Sequence, residues 1–201
     1  MPVPPSLHRT GRLLRAPLLA ALALFALAGC DEEGLGLNGE YVATVSGDVN
    51  ADYTGEAYYT VFDNGSGPVF ALLFFRGDLF DNDEDEYAYV ALWREGDRPG
   101  TGVYPIESAQ TAPAAFAASY ADLVDADTPE ASGPVLTATE GVLTLTHFEA
   151  GFLSGSFRFD GHGLYLPETN AFIDAAVDGT FEARYLAPGV LFSLPIDFQF
   201  D

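Results

Sequence analysis

Apolar and polar residues along this chain follow two rhythms, and both predict strands. Residues 40–46 alternate, with Tyr41, Ala43 and Val45 on one face, as a half-buried strand does. Residues 55–63, rich in Tyr, Thr, Val and Phe, read as a second strand, and Asp63-Asn64-Gly65-Ser66-Gly67 as the turn after it. Asn and Gly tolerate the positive φ that tight hairpins need. Residues 69–75 and 87–93 keep the other rhythm, seven apolar positions each with no polar face, which predicts strands covered on both sides. Further strands are predicted at 102–106, 135–139, 141–148, 152–160, 175–185 and 190–200, punctuated by Gly, Pro, Asn and Asp. One stretch differs. Thr111-Ala112-Pro113 can open a helix, and Phe116, Tyr120 and Leu123 recur at spacings of four and three, so a short helix is predicted near 113–124, with an irregular edge strand as the alternative.

These elements predict an all-β domain over residues 39–201: a single antiparallel β-sandwich, with a closed, calycin-like β-barrel as the alternative. Gly155-Ser156-Phe157-Arg158-Phe159 and Gly179-Thr180-Phe181-Glu182-Ala183-Arg184-Tyr185 echo each other, each placing a Gly before alternating aromatics. The echo is too short to be a repeat.

The first 30 residues obey a different pattern. Arg9, Arg12 and Arg15 precede an apolar stretch at 16–28, broken only by Pro17 and shorter than the roughly 20 residues a spanning helix needs. Small residues follow, as at a secretory cleavage point. Leu27-Ala28-Gly29-Cys30 resembles the lipobox of bacterial lipoproteins, position by position. The resemblance implies that residues 1–29 are a signal peptide, that Cys30 is lipidated, and that 30–38 is a short acidic, Gly-containing spacer. Several acyl chains on one residue anchor far more firmly than a single chain. The implied location is extracytoplasmic, on a membrane at the periplasmic face or on the cell surface, and Asp31-Glu32-Glu33 does not choose between them. Cys30 is the sole cysteine, so no intramolecular disulfide can form. The domain itself resembles a broad group of uncharacterised bacterial lipoprotein β-domains, through Tyr41-Val42-Ala43-Thr44-Val45-Ser46-Gly47, Gly102-Val103-Tyr104-Pro105-Ile106, the strand from Gly141 to Thr146, and Ser154-Gly155-Ser156-Phe157. That resemblance implies no activity.

Charge narrows the partners. The chain has 30 acidic residues against eight basic ones, all arginine. Without the first 29 residues, Arg76, Arg94, Arg98, Arg158 and Arg184 face all 30 acids, 5 − 30 = −25. Such a surface argues against nucleic acid, whose affinity comes from neutralising phosphates, and against anionic headgroups. It resembles the acidic, lysine-free surfaces of salt-in halophiles, for at about 1 M salt the Debye length falls to about 3 Å and like charges cease to repel; divalent-cation binding and an ordinary acidic surface are the alternatives.

Candidate chemistry is sparse. Asp81, Asp83 and Asp85 alternate as the first oxygen ligands of an EF-hand loop do, which makes a weak calcium site the one cofactor candidate. The loop then departs, with Glu86 where that motif needs Gly and Leu92 where it needs Glu. The competing reading is an acidic hairpin tip that keeps two apolar strands soluble. His147 and His162 are not at metal-ligand spacing for each other, and no Gly-x-Ser-x-Gly elbow presents Ser154 or Ser156. No catalytic residue is assigned and a hydrolase is disfavoured. Tyr87, Tyr89 and Trp93 are candidate binding aromatics, set against the reading that aromatics fill a β core. The expectation is a non-enzymatic, lipid-anchored binding or scaffolding protein of the cell envelope, with a protein or glycan partner. The alternative is a barrel-type carrier of an apolar small molecule.

Overall fold

The structure, a computed structural model, describes residues 39–76, 86–108, 114–124, 132–166 and 171–191. Among them are nine strands: β1 (Gly39–Gly47), β2 (Ala51–Asp63), β3 (Pro68–Arg76), β4 (Glu86–Glu95), β5 (Gly102–Glu107), β6 (Ala117–Val124), β7 (Gly133–Glu149), β8 (Phe152–Leu166) and β9 (Ala171–Tyr185), then one helical turn, α1 (Pro188–Leu191). Eight of the strands close into a barrel. β1 pairs with both β2 and β9, and the ring runs on through β3, β4, β6, β7 and β8, each antiparallel to its neighbours. β5 lies outside this ring against the second half of β7, from Gly102 opposite Leu145 to Glu107 opposite Glu140.

The expected sandwich is therefore corrected to the barrel alternative. Alternation along a strand shows which face is buried, but sandwiches and barrels both bury one face. What separates them is whether the outer strands pair with each other. Here β7 is 17 residues long, with irregularities between Ala138 and Glu140 and between Leu145 and His147. Such bulges bend a strand and increase its twist, letting one sheet curl shut. They also explain why 135–139 and 141–148 read as two strands when they are one. At the start of β1 the closure is tight. Beyond Gly39, β2 and β9 touch directly, with Tyr58 beside Arg184 and Tyr59 beside Tyr185. A Cβ on Gly39 would strike the carbonyl oxygen of Ala57.

The expected helix near 113–124 is also corrected, since residues 117–124 form β6. Phe116, Ala118 and Tyr120 are fully buried, and β6 lies between β4 and β7. A spacing of four places Phe116 and Tyr120 on one face of a strand as well as of a helix, and pairing on both sides decides for the strand. At the other end of the chain, the predicted strand 190–200 begins within α1, and its remainder lies outside the described residues.

Inside the barrel, Phe74, Phe157 and Phe181 form an aromatic cluster, with the Phe74 and Phe157 rings stacked at 5.0 Å. The echo between residues 155–159 and 179–185 now has a cause. β8 and β9 pair so that Gly155 lies opposite Phe181 and Phe157 opposite Gly179. Each phenyl ring occupies the space its partner glycine leaves, since a Cβ on Gly155 would sit 2.8 Å from Phe181 Cζ and one on Gly179 2.6 Å from Phe157 Cζ.

Strand β3 has no exposed face from Val69 to Phe75, as its unbroken apolar run predicts. Phe70, Leu72 and Phe74 point into the barrel, while Val69, Ala71, Leu73 and Phe75 join Tyr58, Phe62, Ala91 and Leu186 in a second apolar layer on the outer wall. Tyr89, Trp93 and Val190 pack at the margin of that layer. Thr60 is wholly buried beneath it with its hydroxyl unpartnered, a cost on the order of 1–3 kcal/mol.

On the outer wall of β2, β1 and β9, Glu56, Glu40 and Glu182 stand side by side in register, and Asp52, Thr44 and Asp178 form a parallel row. Between these rows run the shorter side chains of Thr54, Val42 and Thr180. Beside Glu40 and Glu182, these shorter side chains line a groove of about 410 Å³. Like charges directly opposite destabilise a sheet by about 0.2–1 kcal/mol per pair. Glu40→Gln relieves two such pairs, so it should raise stability in dilute buffer by about 0.5–1 kcal/mol. That gain should vanish near 1 M NaCl, where wild type should itself be markedly more stable. Denaturant midpoints at both salt concentrations test this, and a wild type indifferent to salt would remove the halophilic reading.

Candidate ligand site at one end of the barrel

Among the described residues the inward positions of the barrel are mostly apolar. At one end Tyr59 donates to the Gly151 carbonyl and Arg94 lies over the Phe116 ring; at the other end several polar groups bond to one another. Where β1 leads into β2, β3 into β4, β6 into β7 and β8 into β9, the inward phase brings together Tyr53 on β2 with Tyr120 and Asp122 on β6. Tyr53 and Tyr120 are buried and their hydroxyl oxygens are 2.6 Å apart. The Tyr53 hydroxyl also donates to Asp122 Oδ2 at 2.5 Å. A phenol has one proton. With that of Tyr53 directed to Asp122, Tyr120 supplies the proton between the two phenols.

Other groups complete the surroundings. The guanidinium of Arg76, at the end of β3, lies 5.9 Å from the centre of the Tyr53 ring. Tyr41, buried on β1, packs its ring against Phe74. Tyr165 continues the inward phase of β8 to the rim, where it is 40 % exposed. Burial pushes all three buried phenols up. Desolvation dominates for Tyr53, reinforced by its bonds to Asp122 and Tyr120. Desolvation likewise raises Tyr41, with the charge of Arg76 opposing it, and takes Tyr120 up to about 12. At neutral pH these are neutral hydroxyls beside a half-buried carboxylate, over a floor of Tyr41 and Phe74.

The candidates named from sequence fall elsewhere. Asp81, Asp83 and Asp85 lie outside the described residues, as do Cys30 and the side chain of Tyr87. Tyr89 and Trp93 point away from the barrel interior into the outer apolar layer, half-buried. His147 and His162 are far apart in the sheet: His147 pairs with Glu149 at 2.9 Å, and His162 with Asp174 at 2.7 Å while stacking on the exposed ring of Phe172. Among the described residues no three His, Cys, Asp or Glu side chains gather as metal ligands would, and no helix is long and apolar enough to span a membrane, which leaves β-barrel spanning unaddressed. Sequence reasoning missed Tyr53, Tyr120 and Asp122. A signal for Asp122 was present: in strand phase it follows Phe116, Ala118 and Tyr120 onto the inward face, and the helical reading of that segment concealed it.

No protein-family model matches this chain, and no match was found among curated proteins or solved structures.

Proposed function

We propose that this chain is a lipid-anchored, extracytoplasmic barrel protein that binds a small molecule with an apolar body at the Tyr53–Tyr120–Asp122 end. The observation that carries the reading is the placement of a mutually hydrogen-bonded phenol and carboxylate cluster inside a largely apolar closed barrel. Eight-stranded barrels have interiors just wide enough to be filled by side chains or to hold one small ligand, and sites of this kind are mostly apolar with a few placed polar groups. The stacked rings of Phe74, Phe157 and Phe181 occupy the middle of this barrel, so the ligand would lodge near the end, against Tyr41, Tyr53, Tyr120 and Tyr165.

The neutral fluorophore N-phenyl-1-naphthylamine tests the site on the full chain in lipid nanodiscs, read above an empty-disc background. One saturable site is expected, abolished by Asp122→Phe, which plugs the end. Glu182→Gln, on the outer-wall groove, should leave it intact. Absence of saturable binding, or loss with Glu182→Gln alone, sinks the assignment. The anchor rests on Leu27-Ala28-Gly29-Cys30. Intact mass of the product from its native host should show a diacylglyceryl group on Cys30 and no residues before it; an unmodified thiol would remove the tether.

A further inference from the structure

Resting on that reading of the barrel end, we infer that the ligand carries a hydrogen-bond-donating head, an amine or a hydroxyl, and that carboxylate-headed molecules are refused. The Tyr53 proton points to Asp122 Oδ2, and the Tyr120 proton points to the Tyr53 oxygen. Among the described residues, the lone pairs of the Tyr120 oxygen and the second carboxylate oxygen of Asp122 meet no donor. Both are acceptors. A head group bearing N–H or O–H satisfies them. An incoming carboxylate would have only acceptors to offer them, close to a like charge.

The charges facing the cluster do not reverse this preference. Arg76 brings one positive charge over the Tyr53 ring and offsets Asp122. Farther out at the same end, exposed to solvent, the Asp174 amide donates to Asp48 Oδ2 while the Asp174 carboxylate pairs with His162. The domain over residues 39–201 sets five arginines against 27 acids, 30 less Asp31, Glu32 and Glu33. The local potential is therefore negative, and it favours cations over anions. The exposed inward face of Tyr165 adds an aromatic surface, over which an alkylammonium group is attracted to the ring.

Hexylamine, 1-hexanol and hexanoate share one tail and differ in the head, so their competition with bound N-phenyl-1-naphthylamine at pH 7 isolates the head group. Hexylamine should compete at least about tenfold better than hexanoate, the size of one charge-assisted hydrogen bond, with hexanol between them. Asp122→Asn should retain the fluorophore and close most of the gap between amine and carboxylate. Hexanoate competing as well as hexylamine, or a gap undiminished in Asp122→Asn, would overturn the inference while the site stood. Failure of the fluorophore itself to bind would instead remove the underlying site.

Discussion

Phe157→Ala should destabilise the barrel by about 3–5 kcal/mol, the range for deleting a large buried aromatic, and should be the most damaging single truncation on β8. Its ring stacks on Phe74 at 5.0 Å, lies 6.3 Å from Phe181 and 6.4 Å from Phe159, and rests in the space above Gly179. Removing it leaves a cavity ringed by other rigid rings, which have little freedom to collapse into it. The reciprocal Gly and Phe pairing makes a sharper prediction. Gly179→Ala places a methyl carbon 2.6 Å from Phe157 Cζ and 3.0 Å from the carbonyl oxygen of Val42, and overpacking of this kind costs about 1–3 kcal/mol. Combined with Phe157→Leu, the alanine should be tolerated better than the two separate losses imply, because the shorter side chain vacates the contested space. Denaturant unfolding at one fixed salt concentration measures all three. Strict additivity would show that the glycine does not hold the phenyl ring.

This pairing also indicates how far the fold could be read in advance. Both phrases were visible as an echo, but their meaning lies in an antiparallel register that joins residues 155 to 181 and 157 to 179. Nothing in either phrase alone specifies that partner. The strands themselves were plain, because alternation and the double-sided run at 69–75 follow from burial of one face or both. Closure was not. It depends on β1 meeting β9 and on bulges in β7, both long-range, and neither alters the apolar pattern along any one strand. The candidate site was hidden for a related reason. Tyr53 and Tyr120 are 67 positions apart in sequence and meet only because closure turns β2 and β6 to the same end of the interior. Asp81, Asp83 and Asp85 attracted notice because they are adjacent in sequence, which says little about what converges in space.

Stability should fall steeply above pH 10, by at least about 3–4 kcal/mol at pH 11, and the cause should be buried phenols, Tyr41, Tyr53 and Tyr120 foremost. In the unfolded chain a phenol loses its proton near pH 10. In the barrel, desolvation holds Tyr41 and Tyr53 above that value and Tyr120 up to about 12. Each is raised on folding, so its contribution is complete below pH 10 and is lost as pH climbs toward the folded value. Over that interval the unfolded state releases protons that the native state retains, and each phenol lowers stability by up to about 1.4 kcal/mol per pH unit. Burial raises Tyr59 and Tyr89 as well, so Tyr53→Phe removes one of five raised phenols and should flatten the slope by roughly a fifth, whatever general repulsion the acidic surface adds. Denaturant unfolding at pH 8, 10 and 11 gives the slope, and tyrosinate absorbance gives the ionisation. Part of the absorbance change should wait until the native circular dichroism signal disappears. If all ten tyrosines ionise together near pH 10 with the fold intact, the phenols are not sealed in the barrel, and the ligand site assembled on them fails too.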